Sequence, residues 1–310
     1  MIIQPKYPWI AKYYNDEHFR IHSVPGDGDC FFASIVYCLS TIGTTQTIKN
    51  LREIVADKTT ESVFMGYKKP YDEVLERLEK LQEQLKDNRN QFNDVQTRVK
   101  TQISQDETKR AALKQLKEID VNKKAIEKEI KETKDSMTDL TMPYAMMTGV
   151  NTLEEFKEMI KSDRTKYWAD EHAILVIEHE LNIKTIILDK HAFLQSDLDA
   201  VLQCGENKTT DSFTPEQYIV LEYTGIHYNA ILFKHAGAFT FNELHDKIKT
   251  NIIDKCCEIE ENVFNKIPDF KQLKETQLKK NPATLPTIPE GSYDTTKNSQ
   301  SDLSAAIDGE

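Results

Sequence analysis

Hydrophobic and polar positions change regime several times along this chain, and each regime predicts an element. From Phe31 to Leu39, the residues Phe31, Phe32, Ala33, Ile35, Val36 and Leu39 leave no solvated face, which predicts a buried helix. Thr47 to Lys58 sets Ile48, Leu51, Ile54 and Val55 on one side of an amphipathic helix. Between residues 71 and 142 neither Gly nor Pro occurs. Apolar residues there recur at three and four: Val74, Leu78, Leu81, Leu85, Phe92, Val95 and Val99, then Leu113, Leu116, Ile126, Ile130, Met137 and Leu140. That spacing is a coiled-coil signature. It lapses from Ser104 to Thr108, where Ser, Asp and Thr offer N-cap chemistry for a second helix. Two antiparallel helices of about 33 residues, each roughly 50 Å long, bring the chain back to its point of departure. The alternative is one long helix that pairs with another molecule.

Beyond the arm, Thr152 to Lys161 reads as a helix capped by Asn151 or Thr152, and Asp170 to Glu180 as another. On the latter, His172 and His179 lack the i, i+4 spacing of a helical zinc pair, so with Glu171, Glu178 and Glu180 they read as a solvated face. Leu181 to Asp189 is a strand apolar enough for a sheet interior. Gln217 to Phe233 is a hairpin of β-branched and aromatic residues around Thr224-Gly225. Phe193 to Phe213 is polar and predicts a loop or short helix at the edge of a cleft. Phe241, Leu244, Ile248, Ile252, Cys256, Ile259 and Val263 predict one long helix. The aromatic lead-in before residue 24 is expected to pack on the body, with His18 and His22 as packing or surface histidines. The end of the chain is rich in Pro, Thr, Ser and Asn and predicts disorder from about residue 279.

Composition narrows the function classes. The 310 residues have a net charge of -11, which argues against nucleic acid and anionic membrane as principal partners. No leader-like segment and no run of 18 apolar residues is present in the sequence. Cys30, Cys38, Cys204, Cys256 and Cys257 are odd in number and not spaced for zinc, so the expectation is reduced thiols in a cytoplasmic setting, no metal and no cofactor.

Candidate chemistry comes from two short stretches. Gly26-Asp27-Gly28-Asp29 is a tight polar turn that opens into the buried helix and leaves Cys30 at its N-terminus. There the helix dipole and unpaired N–H groups favour thiolate. In the late hairpin, His227 and Asn229 share one face of a strand, so Asn229 can orient the imidazole. Nucleophile, base and orienter together are the working parts of a thiol hydrolase.

Those residues carry a resemblance. Asp27-Gly28-Asp29-Cys30-Phe31-Phe32, His227-Tyr228-Asn229 and the block Tyr167-Trp168-Ala169-Asp170 with its following helix and strand resemble the ovarian tumour (OTU) family of cysteine proteases, most of which are deubiquitinases. The resemblance implies an α/β fold with a small central sheet flanked by helices, split as residues 1–70 and 141–238 around the 71–140 insertion. A C-terminal helix (239–278) and a tail (279–310) follow. It implies that Cys30 attacks the carbonyl at the ubiquitin C-terminus with His227 as base and with Asn229, or Asp27, as orienter. The turn at Gly28 and Asp29 would supply oxyanion donors, and ubiquitin or a ubiquitin-like modifier would be the partner. Asn229 stands where the family often has Asp, and an amide stabilises imidazolium less than a carboxylate does. Two other readings stay open: an inactive ubiquitin-binding module, and a scaffold that recruits a protein partner through the arm.

Overall fold

Mixed pairing in one six-stranded sheet organises the fold, which a computed structural model describes for residues 7–101, 106–139, 142, 144–163, 167–205 and 213–280. The strands are β1 (Phe19–His22), β2 (Ile183–Asp189), β3 (Leu202–Gln203), β4 (Gln217–Tyr223), β5 (Tyr228–Phe233) and β6 (Ala238–Phe239). Their order is β1-β5-β4-β2-β3, with β6 also on β4. β2 and β4 run parallel, while the pairs β1–β5, β5–β4, β4–β6 and β2–β3 are antiparallel. The helices are α1 (Trp9–Tyr13), α2 (Cys30–Ser40), α3 (Ile48–Lys58), α4 (Glu61–Thr101), α5 (Asp106–Thr138), α6 (Leu153–Lys161), α7 (Glu171–Leu181), α8 (Lys190–Leu194), α9 (Asp246–Lys255) and α10 (Pro268–Lys280).

Local chemistry explains most boundaries. Thr47 accepts from the Asn50 N–H at the start of α3, Thr152 and Glu155 form a reciprocal capping box on α6, and Asp170 accepts from the Ala173 N–H on α7. Asn182, at φ 52°, ends α7 in the left-handed conformation that Asn tolerates. On one face of the sheet α2, α3, α6 and α7 enclose a core of Phe31, Phe32, Ile35, Leu51, Val55, Phe156, Tyr167 and Ile177 against Ile219, Leu221 and Ala230. On the other, Phe241, Phe264 and Phe270 gather around Tyr218. Gly237 is needed where the chain enters β6, because a β-carbon there would lie 2.8 Å from the Cys38 Cα.

The arm is a helical hairpin. Arg77 pairs with Glu129 at 2.6 Å, whereas further along α4 the Asn88 amide donates to the Ile119 carbonyl at 3.2 Å and Arg89 meets Glu127 at 3.4 Å, both earlier in α5, so the two helices run antiparallel. Leu81, Val95, Ile119 and Ile126 bury the seam. Of the helix break expected at 104–108, residues 104 and 105 lie outside the described residues and 106–108 open α5. At the base, the hairpin departs from the expected boundary at residue 70. α4 begins at Glu61 and runs through Pro70, which has no N–H to bond the Gly66 carbonyl one turn earlier. Phe64, Tyr67, Tyr71, Leu75 and Met137 pack into the body core, so the first turns of the arm belong to it.

Other expectations are corrected. No single helix spans Phe241 to Phe264, nor 239–278: α9 stops at Lys255 and gives way to 3-10 turns at Cys256–Glu258 and Val263–Asn265 before α10. Acidic residues Glu258, Glu260 and Glu261 oppose the negative end of a helix dipole, Asn262 starts a new turn by accepting the Phe264 N–H, and Ile259 is exposed. A disulfide joins Cys204 to Cys256, which replaces the expected thiols at those positions. The face of α7 is not fully solvated. Glu178 is buried and holds Lys184 Nζ at 2.9 Å, the Thr185 N–H at 2.9 Å and the Thr185 hydroxyl. The 193–213 stretch holds the end of α8, a 3-10 turn at Leu198–Ala200 and β3, and its segment 206–212 lies outside the described residues. Residues 281–310, expected to be disordered, also lie outside. No helix among the described residues is long and apolar enough to cross a membrane.

Candidate active site

Cys30 begins α2 directly after a turn whose Gly28 has a φ of 91°, a conformation that favours glycine. The turn is fixed from below by a buried cation. Arg52 of α3 is fully buried; its Nε donates to Asp29 Oδ1 at 2.7 Å and its guanidinium also reaches the carbonyls of Gly28 (3.2 Å), Ile160 (2.8 Å) and Tyr167 (3.3 Å). The Phe32 ring lies 4.9 Å beneath it. Asp29 is thus a buried anchor of the turn, and its N–H donates to Asp27 Oδ1 at 3.3 Å, so this N–H already has a partner within the turn.

His227 sits just before β5, opposite the turn. Gly26, Gly28, Cys30, Trp168, Ile226 and His227 line one cleft of about 250 Å3. None of the described residues of the 193–213 stretch lines it. Asn229 Oδ1 lies 3.0 Å from His227 Nε2 and accepts the Val24 N–H at 3.2 Å, while its Nδ2 donates to Glu222 Oε2 at 2.6 Å. The two outer bonds fix which end of the amide is oxygen. An oxygen facing Nε2 requires that Nε2 carry the proton, so in the neutral ring Nδ1 is the free base. Nδ1 faces the Cys30 turn, since a β-carbon on Gly26 would lie 3.6 Å from it.

The Cys30 thiol departs from the expectation of a resting thiolate. Burial pushes it above its ordinary value and the Asp27 charge adds to the rise, while the N–H groups of Tyr228, Phe31 and Cys30 itself pull the other way. Burial outweighs the helix start here. For this sulfur to act as a nucleophile its proton would need an acceptor, and His227 lines the same cleft with Nδ1 toward the turn.

The chain matches no family model and no curated protein.

Sequence reasoning placed Cys30, His227, Asn229, Asp27, Gly28 and Asp29 at one locus, and the structure brings them together. The hydrogen bond that fixes the His227 ring comes from Asn229, whereas Asp27 shapes the turn. Two residues were missed. Arg52 lies one turn from Val55 and Ala56 on the apolar side of α3, and a lone charge in such a stripe was the available signal. Glu222 is the only carboxylate in β4, and the hairpin register sets it directly across from Asn229. The other histidines lie in different settings. His22 stacks on Tyr37, His172 bonds Thr59, with burial lowering its pKa, and His179 packs on Phe213. Among the described residues no three His, Cys, Asp or Glu side chains converge as a metal site would need.

Proposed function

We propose that this protein is a thiol isopeptidase of OTU type that cleaves ubiquitin, or a ubiquitin-like modifier, from its conjugates. The observation that carries the reading is the shared cleft of Cys30 and His227, with Asn229 fixing the His227 tautomer so that Nδ1 is the base. His227 Nδ1 takes the thiol proton as the sulfur attacks the terminal carbonyl of the modifier. The C–N bond breaks, the released lysine amine leaves with that proton, and a water activated by the same imidazole hydrolyses the thioester. Backbone N–H groups at the start of α2 stabilise the oxyanion, each worth about 3 kcal/mol in hydrolases of comparable design. A narrow cleft flanked by Gly26, Gly28 and Trp168 suits an extended peptide tail. The acidic chain complements a basic modifier surface.

The raised, buried Cys30 thiol favours one competing reading, a module that binds the modifier without turnover. A ubiquitin probe with a C-terminal electrophile separates the two. Covalent capture that disappears in Cys30→Ala, and persists when Cys38 and Cys257 are replaced, is the expected result. Reversible binding alone supports the module, and no association with ubiquitin or with ubiquitin-like probes removes the proposal.

A further inference from the structure

Glu222 is buried to 1 % exposure beside the candidate site, on the strand next to the one that follows His227. Its partners all donate: Trp9 Nε1 at 2.6 Å, Asn229 Nδ2 at 2.6 Å and Lys190 Nζ at 3.3 Å. Lys190 is 39 % exposed, so water screens much of its charge, and the two short bonds come from neutral groups. The carboxylate therefore keeps most of its field inside the protein, where a hydrogen-bonded chain polarises strongly. Asn229 is the link in that chain. Drawing its Nδ2–H toward Glu222 makes its Oδ1 a stronger acceptor for the His227 Nε2–H.

We infer that Glu222 is a positioning residue for His227, acting through Asn229, so that an amide and a carboxylate in series do the work of one orienting carboxylate. The inference rests on the reading of His227 as general base. In this arrangement Glu222 locks the Asn229 amide against flipping and stabilises the imidazolium that forms when Cys30 gives up its proton. Trp9 of α1 enters the device by holding the other carboxylate oxygen. The ionisable groups facing this chain are Cys30 and Asp27 from the turn, Lys190 from α8, and Asp189 and Tyr223 at the ends of β2 and β4.

The test is a swap in the full chain. Glu222→Gln removes the charge at constant volume. It is expected to lower kcat/KM on a ubiquitin substrate by about 10- to 100-fold, mainly in kcat. The limb of the pH profile governed by His227 should move to lower pH, because loss of a nearby negative charge weakens imidazolium. Asn229→Asp alone sets two carboxylates in contact and should also impair turnover. The double variant Glu222→Gln/Asn229→Asp restores one carboxylate and one amide in reverse order, and is expected to return to within about tenfold of wild type with the pH limb recovered. A residue with only a structural role gives no such rescue.

A readout independent of turnover keeps the two claims apart. In the Cys30→Ala background the His227 ring titration, followed by NMR, should fall in Glu222→Gln and return in the double variant. If that titration and the pH limb are unmoved by Glu222→Gln, the inference is overturned. An inactive wild type whose His227 titration still responds sinks the hydrolase reading and leaves this one standing. Should Glu222→Gln not fold, the double variant decides: recovered activity or titration supports the inference, and a double variant that is folded but unresponsive, or unfolded, overturns it.

Discussion

Two buried carboxylates flank the cleft, and they do opposite things with their charge. Asp29, on the nucleophile side, faces a fully buried Arg52 whose remaining donors are taken by carbonyls from three other parts of the chain. Its charge is cancelled within a few ångströms, and what remains is a rigid knot joining the turn, α3, α6 and the segment before α7. Glu222, on the base side, takes its two short bonds from a tryptophan and an amide and meets the part-exposed Lys190 at 3.3 Å, so on the inference above its charge remains available to His227. The partners, more than the burial, decide whether such a carboxylate serves the fold or the chemistry.

That contrast can be broken from either side. The largest effect is expected on the base side, where His227→Ala should reduce turnover by roughly 10³-fold while thermal unfolding moves little, measured by steady-state kinetics beside calorimetry. On the nucleophile side the order reverses. Arg52→Met strands the Asp29 charge and should cost about 3–5 kcal/mol in denaturant unfolding; adding Asp29→Asn removes the stranded charge and should recover part of that loss. Asn229→Ala sits between the two sides, with an expected loss of about 10- to 100-fold in kcat/KM and a small stability change; an unaltered rate would move the orienting role elsewhere.

Reactivity without substrate sharpens the comparison further. Because burial raises the Cys30 thiol, it is protonated at neutral pH, and its alkylation by iodoacetamide should keep climbing with pH beyond the roughly 8.5 of an ordinary cysteine. Peptide mapping of the modified site measures this. A plateau reached near pH 6 would instead reveal a resting thiolate–imidazolium pair. The smallest effect is expected far from both carboxylates. Replacing residues 80–126 by a short Gly/Ser loop should leave cleavage of a minimal substrate within about twofold, whereas a cut at residue 71 removes the buried Tyr71 and should cost about 3 kcal/mol.

The arm and the nucleophile turn were legible in the sequence because both are local. Heptad-like spacing over dozens of residues and a Gly-rich turn before an apolar run carry their structure in neighbouring positions. Capping of α6 at Thr152 was readable for the same reason. What escaped was set by distant pairing. Cys204 and Cys256 lie 52 residues apart with no spacing signal, and they meet only because the chain after α9 returns toward β3. Glu178 looked solvated until Lys184 of the following strand folded over it. The C-terminal periodicity was real in its buried positions, but short turns buried Cys256, Val263 and Phe264 without a continuous helix.

The pairing of β1 with β5 sets a timetable for synthesis. Phe19 to His22 leave the ribosome more than two hundred residues ahead of their partners Ala230 to Phe233, while the arm between them can coil on itself as it emerges. Cys30 is thus made well before Glu222, His227 and Asn229, which arrive near the end of the sheet. On the proposed reading a nascent chain carries the thiol without its base, so the site is assembled only when β5 closes against β1.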